Sequence, residues 1–361
     1  MTKIKKEFHP FHIGDVQVRL LERLSNACAV SGDEGEVRKI VLEEVRPYAD
    51  EVKVDALGNV LVTRRSKSEN ALRVMLAAHM DEVGFMLTND EGDGLYRFEM
   101  VGGLDAWKLA GKAVWVGKEH QPGVIGLKPI HLAERDELQR PVTLDGLRID
   151  LGLGAKAKVG DRAVFATSFT QLGPSLRGKA LDDRIGVASL IELVKQAPPD
   201  IHLLAAFTVQ EENGLRGAKV AAYTFNPDLA IVLDCTPAYD LPVYDGSENT
   251  RYNTRLGAGP AIYVADAATL SNPSLVRYLL GIAEDYSIPH QIRQPGGGGT
   301  DAGAIHTQQA GIPSVSISVP GRYLHSPASL ARTSDWENSI TLVHTALTHL
   351  SPELLKYEES L

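Results

Sequence analysis

The sequence predicts an α/β fold in which a mainly parallel mixed sheet is flanked by helices, with a small β-rich domain inserted into the chain. Residues 72–78 form a short apolar run that is typical of a strand buried on both faces, and helical and buried-strand patterns alternate over residues 184–350. Residues 88–171 instead contain short β-like pieces separated by glycines and charged turns. We therefore expect one domain made of residues 1–87 and 172–361, and an inserted domain made of residues 88–171.

The first elements of the larger domain are two helices and a hairpin. Leucines recur at helical spacing over residues 15–27, and a second helical pattern runs over residues 31–45. The pattern then changes to alternating or β-branched residues at 51–55 and 59–63. This predicts a hairpin that leads into the buried strand at 72–78.

The remaining elements follow the insertion, within which the clearest strands are at 113–116, 123–127 and 162–165. After residue 172, helices alternate with short apolar strands, which favours a parallel sheet covered by helices. The predicted helices are 184–195, 215–223, 273–285 and 334–350, and the predicted strands are 201–209, 229–233 and 315–319.

Composition excludes several classes of function. The chain has 361 residues, a formal net charge of -9 and no basic stripe, which argues against nucleic-acid and anionic-membrane partners. No apolar run approaches the ~18 residues that a membrane-spanning helix needs, and the first ten residues show no signal peptide. Two cysteines, Cys28 and Cys235, are too few for a disulfide framework. We therefore expect a cytoplasmic protein.

Charged and histidine residues stand where the predicted strands end, which is where ligands gather in an open α/β sheet. One acidic pair, Asp182-Asp183, instead opens a predicted helix. The residues at strand ends are His79, Asp81, Glu211, Glu212, Asp234 and His325.

These residue types favour a metal site. Two histidines and several carboxylates, with no accompanying cysteine pair, suit Zn²⁺, Co²⁺ or Mn²⁺ bound through nitrogen and oxygen. So many carboxylates in one site would repel one another unless cations lay between them. We therefore expect two divalent metal ions per subunit.

Two spacings have a chemical use. In an extended chain, His79 and Asp81 face the same side, so the carboxylate can accept the second N–H of the imidazole and fix its tautomer. Adjacent Glu211 and Glu212 point in different directions, so one can bind metal while the other reaches a water beside it. One glutamate then remains free as a general base.

Each of these features also has an ordinary structural explanation. His79 could be a structural histidine, Asp182 or Asp183 could cap the following helix, and paired glutamates often lie in a solvated turn. Asp234 and His325 could be loop residues. The coincidence of five such features at strand and helix ends favours the metal site.

Seven motifs together resemble the tetrahedral (TET) aminopeptidase family, a family of cocatalytic metallopeptidases that includes glutamyl aminopeptidases and proteins labelled endoglucanase-M-like. They occur in order along nearly the whole chain. They are VSGDE (30–34), HMDEVG (79–84), GKALDDR (178–184), VQEENGLRGA (209–218), DCT (234–236), GGTDA (298–302) and RYLHSP (322–327).

The resemblance implies a role for each site residue. Asp182 would bridge two metals, with His79 and Asp234 completing one site. Glu212 and His325 would complete the other. By the same resemblance, Glu211 would be the general base, Asp81 would orient His79, and a wall of the substrate pocket would be formed by Gly298, Gly299, Thr300 and Asp301.

The resemblance also implies a zinc-peptidase-like fold and a PDZ-like insertion. The insertion would join subunits into dimers that build a hollow twelve-subunit particle. The expected function is hydrolysis of N-terminal residues from peptide substrates by a water that the metals activate. Asp183 stands where the family often has Asn, and Ser329 stands where it commonly has Glu.

Three other functions remain open at this point. A dinuclear-metal deacylase acting on N-acyl amino acids would use a similar site. A glycosidase would need two carboxyl groups flanking a sugar bond rather than metals. A non-catalytic scaffold would use the inserted domain to bind peptides. The preferred N-terminal residue, the physiological metal and the choice between dimer and dodecamer stay open as well.

Overall fold

The buried strand predicted at 72–78 lies at the centre of a large mixed sheet. The computed structural model describes residues 10–136, 139–247 and 253–355. Residues 1–9, which hold most of the segment where no signal peptide is predicted, lie outside the described residues. Within the described residues, no helix is both long enough and apolar enough to cross a membrane.

Seven α-helices are present in the described ranges. In the structure, α3 begins three residues before its predicted start and α4 ends two residues after its predicted end. The short α6 is not predicted from the sequence. The helices are α1 (Asp15–Asn26), α2 (Gly35–Val45), α3 (Leu181–Lys195), α4 (Arg216–Phe225), α5 (Pro273–Asp285), α6 (Ala302–Ile305) and α7 (Thr333–His349).

Seventeen strands are present in the same ranges, and they form two separate structures. Six of them close into a barrel: β4 (Gly84–Gly92), β5 (Leu95–Val101), β6 (Ala113–Val116), β7 (Gln121–Leu127), β8 (Leu147–Asp150) and β9 (Arg162–Phe165). The other eleven form the large sheet: β1 (Glu51–Val54), β2 (Val60–Arg64), β3 (Arg73–His79), β10 (Thr170–Leu172), β11 (Ser175–Gly178), β12 (His202–Thr208), β13 (Leu229–Pro237), β14 (Ala261–Tyr263), β15 (Gln291–Arg293), β16 (Ser314–Arg322) and β17 (Ser329–Arg332).

The large sheet is mixed, with its parallel pairing near the centre. Strands β12, β3, β13 and β16 are consecutive parallel neighbours. The hairpin of β1 and β2 joins one side antiparallel, and β17, β11 and β10 continue the other side antiparallel. Parallel pairing is therefore less dominant than the sequence indicates, because the short antiparallel strands at the edges show no clear period.

Alternate residues of β3 enter two different apolar cores. Val74, Leu76 and Ala78 pack in the core that contains residues of α1, α2, α3, α5 and α7, whereas Met75 and Ala77 pack against α4 and α6. Helices therefore flank the sheet on both faces, as predicted. This explains why the strand is apolar throughout, since each of its faces is buried.

The β-rich insertion is present as the closed six-stranded barrel, in which β4 pairs with both β5 and β9. Its core contains three aromatic rings in edge-to-face contact, with Phe85 5.2 Å from both Phe98 and Phe165. The barrel strands begin at Gly84, four residues before the predicted boundary. The turn after β5 brings Gly102 and Gly103 to the end of the large sheet, where the candidate site lies.

Candidate active site

The parallel strands place the predicted site residues at one edge of the sheet. His79 ends β3 and is aligned with Thr208, the last residue of the neighbouring β12. Asp234 lies within β13, aligned with Ser318 of β16. Because the carboxyl ends of parallel strands meet at the same edge, residues distant in sequence come together here.

Asp182 faces both histidines. Its Oδ1 lies 3.3 Å from Nε2 of His79, and its Oδ2 lies 3.5 Å from Nε2 of His325. The two oxygens of one carboxylate therefore serve two different groups of ligands. A carboxylate in this position can bridge two metal ions.

Two triads share Asp182. The first triad is His79, Asp182 and Asp234, and the second triad is Asp182, Glu212 and His325; within each, the candidate ligand atoms lie within 4.8 Å of one another. Nε2 of His79 is 4.0 Å from Oδ1 of Asp234, and Nε2 of His325 is 3.4 Å from Oε1 of Glu212. The structure thus brings together all five residues predicted as ligands, in the two groups expected.

The ring orientation of each histidine is fixed by its other nitrogen. Nδ1 of His79 lies 3.2 Å from the carbonyl oxygen of Asp81 and 3.5 Å from its Oδ1. Nδ1 of His325 lies 2.9 Å from the carbonyl oxygen of Gly103, in the turn after β5. With Nδ1 donating to these oxygens, Nε2 of each ring is the free lone pair for a metal.

Gly103 also has a steric role that the sequence gives no direct sign of. A Cβ atom there would lie 3.0 Å from Nδ1 of His325, which is closer than an ordinary contact. The small residue lets the barrel turn approach the histidine. The inserted domain therefore helps to position a residue of the second triad.

The carboxylate of Asp81 organises the segment that carries the two glutamates. It accepts the backbone N–H of Glu211 at 3.0 Å and of Glu212 at 3.2 Å, and the hydroxyl of Ser31 at 2.6 Å. Although burial opposes its ionisation, hydrogen bonds from His79 and Ser31 hold the pKa of Asp81 below its usual range. Asp81 therefore fixes the backbone of both glutamates as well as the ring of His79.

The two glutamates both approach His79, with candidate ligand atoms of all three residues within 4.8 Å of one another, and they differ in their further partners. Glu212 belongs to the second triad, whereas Oε2 of Glu211 lies 4.0 Å from Nε2 of His79. Burial raises the pKa of Glu211 well above its usual range, and the neighbouring Asp301 and Glu212 raise it further. Glu211 is thus a carboxyl group that can exchange a proton beside His79 and the two triads.

The surroundings of the triads also raise the pKa of Asp234, Glu212 and His325. Burial, with the nearby Asp183 and Asp182, raises the pKa of Asp234 well above its usual range. Burial and Asp182 raise the pKa of Glu212 to about 7. The hydrogen bond with Asp182 raises the pKa of His325 to about 10. Asp182 is the exception, because burial is outweighed by hydrogen bonds from His325 and His79, which hold its pKa below the usual range.

Two departures from the family pattern have structural explanations. The Asp183 carboxylate accepts the backbone N–H of His79 at 3.2 Å and of Gly186 at 3.0 Å, so it ties the start of α3 to the end of β3. It is not among the residues that line the cavity. Ser329 is buried in β17, where it is aligned with Gly178 of β11.

A cavity of about 650 Å³ opens above the two triads. Gly298 and Gly299 form part of its wall. Thr300 and Asp301 are buried behind that wall: Thr300 Oγ1 lies 2.7 Å from the hydroxyl of Ser316, and Asp301 accepts the hydroxyl of Thr208 at 2.5 Å. The glycines thus supply the surface of the pocket, and the next two residues anchor it.

Several lining residues are not predicted from the sequence. They come from separate segments of the chain, and those that lie inside a quoted motif, Leu215, Cys235 and Leu324, have no chemical role that their residue type indicates. They are Gly103, Leu215, Cys235, Pro237, Tyr263, Arg293, Gly297 and Leu324.

Known proteins match this sequence over most of its length. The family model described as M42 glutamyl aminopeptidase matches residues 58–342. The glutamyl aminopeptidase of Lactococcus lactis is 34% identical over 352 residues, covering 92% of this chain and 96% of that protein. The lysyl aminopeptidase of Pyrococcus furiosus is 32% identical over 353 residues, covering 93% and 98%.

Solved structures share the fold along almost the whole chain. A TET aminopeptidase from a marine-sediment Thaumarchaeota archaeon is 35% identical with a TM-score of 0.89, covering 94% of this chain and 98% of that one. The TET1 peptidase of Pyrococcus horikoshii, which can assemble into a tetrahedron or a large octahedral shell, is 32% identical with a TM-score of 0.80, covering 92% and 100%.

Proposed function

Because the chain belongs to the M42 glutamyl aminopeptidase family, it is a metal-dependent aminopeptidase, and we propose that the two triads sharing Asp182 hold its metal ions. The observation that carries this proposal is the pair of Asp182 oxygens, each facing a different histidine. The similar glutamyl and lysyl aminopeptidases disfavour the deacylase alternative.

The donor set fits two divalent ions. Each triad offers one imidazole nitrogen and carboxylate oxygens, a combination that suits Zn²⁺, Co²⁺ or Mn²⁺. Burial also raises the pKa of Glu211 and Asp234, and a nearby cation would favour the charged form of each carboxylate. We propose Zn²⁺ or Co²⁺ as the physiological ions.

When bound, the two ions would supply Lewis acidity and a water of lowered pKa. The carboxylate of Glu211 is placed to accept a proton from the attacking water and would donate it to the amine that leaves. Burial suits Glu211 to this role, because a raised pKa lets the carboxyl group hold a proton between the two steps. Asp81 keeps Glu211 in place through the backbone N–H, and so acts as a positioning residue.

The acidic cavity also accounts for attack at the chain terminus. A free α-amino group can donate hydrogen bonds to individual carboxylates of the cavity, and an internal peptide bond has no such group. The glycine wall of Gly298 and Gly299 lets substrate backbone approach closely. The substrates we propose are therefore peptides with a free N-terminus.

The test compares aminoacyl chromogenic substrates with N-acetylated controls, before and after chelation and with Zn²⁺, Co²⁺ or Mn²⁺ restored. We expect metal-restored cleavage of the free-amine substrates only. Glu211→Gln should lower kcat by roughly 1,000-fold while metal content stays near that of the wild type. Activity confined to the acetylated substrates would support the deacylase, and metal loss in the Glu211 variant would show that its role is misassigned.

We also propose that the chain self-associates through the barrel, as dimers that build a dodecamer. Support comes from the similar Pyrococcus horikoshii TET1 peptidase, one structure of which is a dodecamer in the asymmetric unit. In this proposal the catalytic domain comprises residues 1–87 and 172–361, and the PDZ-like dimerisation domain comprises residues 88–171. Light scattering should give a mass about twelve times the 39.1 kDa of one chain; a monomer mass would contradict the proposal.

The free thiols of Cys28 and Cys235 support a cytoplasmic location, where thiols stay reduced. Cys235 is buried and its Sγ lies 3.2 Å from the carbonyl oxygen of Leu181. Fractionation of the native host, with the protein followed by antibody, checks this location.

A further inference from the structure

One charged residue of the cavity wall belongs to neither triad and has no part in the proton transfer. Among the described residues that line the cavity, Arg293 is the only charged one besides the triads and Glu211. It ends β15 and is 4% exposed. Its positive charge therefore faces a space in which the other lining carboxylates and histidines belong to the triads or are Glu211.

The guanidinium of Arg293 is held in place by neutral partners. Nε donates to the hydroxyl of Thr236 at 3.2 Å, and Nη2 donates to the carbonyl oxygen of Gly297 at 2.8 Å. Nη1 donates to the carbonyl oxygens of Ala265 and Gln294, both at 3.2 Å. The group is thus fixed in orientation, while its charge is left without a counter-ion.

The ring of Tyr263 completes the setting. The guanidinium carbon lies 4.4 Å from the ring centroid, so the aromatic ring packs against one face of the guanidinium group. In the described ranges, no carboxylate lies within 4.0 Å of an Arg293 nitrogen. An arginine as deeply buried as this one normally has an acidic partner.

A second buried arginine shows that ordinary case. Arg184 is 0% exposed, and its Nη2 lies 3.0 Å from Oε1 of Glu82. Arg293 and Arg184 are the two arginines buried in the described ranges. Arg184 has its anion within the chain, so the corresponding anion for Arg293 must come from outside it.

The position of Arg293 fits the side chain of a substrate. Its partner Thr236 lies two residues beyond Asp234 on β13, so the two side chains share a face and lie roughly 7 Å apart along the strand. An N-terminal residue bound at the triads would extend an aspartate or glutamate carboxylate over a distance of this order. Four of the five guanidinium N–H groups already have acceptors in the chain, so the second N–H of Nη2 remains to donate to a carboxylate in a charge-assisted hydrogen bond.

We propose that Arg293 determines specificity by binding the side-chain carboxylate of an acidic N-terminal residue. This inference rests on the proposed aminopeptidase function and names its substrate class, glutamyl and aspartyl peptides. Family membership does not decide the matter, because the similar proteins include both a glutamyl and a lysyl aminopeptidase. Two divalent cations would cancel the four cavity carboxylates, which leaves Arg293 as the dominant charge for the side chain.

The sharpest test uses glutamyl and glutaminyl p-nitroanilides, which have nearly the same shape and differ in charge. We expect the metal-loaded enzyme to have a kcat/KM at least about 10-fold higher for the glutamyl substrate. Arg293→Gln should lower that value by about 10- to 100-fold while glutaminyl and leucyl cleavage change less than about threefold. Arg277→Gln, an exposed arginine on α5, is the control and should change neither.

A purely structural role for Arg293 predicts a different pattern. If the residue only held the glycine wall, Arg293→Gln would lower activity on all substrates in parallel, which would overturn the inference. Equal wild-type activity on glutamyl and glutaminyl substrates would overturn it as well, even if the variant fails to fold. Thermal unfolding and metal content establish whether the variant is intact, and Arg293→Lys should retain part of the preference.

Binding of free amino acids separates this inference from the proposed function. Calorimetric titration of the wild type should show tighter binding of L-glutamate than of L-glutamine, and Arg293→Gln should remove the difference. If no free-amine substrate is cleaved with any metal, the proposed function fails while this binding test still decides the inference. Cleavage without a preference for acidic N-terminal residues would contradict the inference about Arg293 and leave the proposed aminopeptidase function intact.

Discussion

The end of β3 contributes to two buried clusters of charge that are balanced in different ways. In the paired cluster, Glu82 lies 2.6 Å from Nζ of Lys179 and 3.0 Å from Nη2 of Arg184. In the cavity above it, His79 meets the carboxylates of the first triad. The paired cluster contains its own cations, whereas the cavity has more carboxylates than the chain provides cations for.

The difference identifies which cluster has a function beyond stability. The paired cluster is satisfied internally, since Lys179 also donates to the carbonyl oxygen of Ala27 at 2.8 Å, and Arg184 to that of Leu24 at 3.0 Å. The cavity instead raises the pKa of several carboxyl groups, because burial and mutual repulsion disfavour their charge. Arg293 is the positive counterpart. A buried charge without an internal partner indicates where this protein binds something else.

Removing the central acid of the paired cluster should have the largest effect on stability. Glu82→Gln leaves Lys179 and Arg184 buried without their counter-ion, so we expect the free energy of unfolding to fall by about 3–5 kcal/mol. Denaturant unfolding in the presence of chelator measures this without a contribution from metal binding. Glu43→Gln, which breaks the exposed pair with Arg23, is the control and should change stability by less than about 0.5 kcal/mol. A loss below about 1 kcal/mol in the Glu82 variant would remove the distinction between the clusters.

The same chemical change in the cavity should have the opposite outcome. Asp234 is 6% exposed and Glu82 is 3% exposed, so the two sites are matched in burial. Because burial and the nearby Asp183 and Asp182 raise the pKa of Asp234 and so disfavour its charge without metal, Asp234→Asn should leave the stability of the chelated protein within about 1 kcal/mol of the wild type. It should lower metal content and reduce kcat/KM by roughly 100-fold or more. Metal analysis by mass spectrometry, beside the same unfolding assay, checks both parts; a large stability loss with full metal content would reverse our assignment.

The sequence indicates which side chains come together in the cavity, because each of them interrupts a strong local pattern. A histidine or acid at the end of an apolar strand is costly without compensation, and the ends of parallel strands converge at one edge. The grouping into two triads needed the family resemblance. The central strands β3, β12, β13 and β16 are predicted for the same reason, since burial on both faces makes them continuously apolar.

The features that the sequence does not predict depend on residues distant along the chain. Arg293 ends the three-residue strand β15, which has no clear pattern in the sequence, and its role depends on the neutral acceptors that Thr236, Ala265 and Gly297 provide. The carbonyl of Gly103 reaches His325 across 222 positions. Strands such as β4, β5 and β14 are half-exposed, irregular or three residues long, so they carry little periodic signal.

Proton release on metal binding tests whether protons offset the negative charge of the cavity carboxylates when no metal is bound. The hydrogen bond with Asp182 raises the pKa of His325 to about 10, and burial raises that of Glu212 to about 7, so metal must displace protons near pH 7.5. Since protons compete with metal, affinity should rise with pH, by about tenfold per unit for each proton displaced, until the pH passes about 10. Calorimetry in buffers of different ionisation heat should find at least one proton released per chain. Binding without proton release would show that the cavity is not short of positive charge.

The smallest changes in stability and kcat are expected on removal of a hydrogen bond that supports the cavity from outside it. Ser31 donates to Asp81 at 2.6 Å, and Asp81 in turn holds the backbone of Glu211 and Glu212. Ser31→Ala removes one donor to a buried carboxylate that keeps its other partners, so we expect a loss of about 1–2 kcal/mol in unfolding free energy and less than about tenfold in kcat. Ser66→Ala, which removes an exposed hydroxyl bonded to the carbonyl of Pro199, should cost less than about 0.5 kcal/mol. If the two alanine variants behaved alike, Asp81 would not depend on Ser31, and the support of the glutamate segment would lie in its backbone contacts alone.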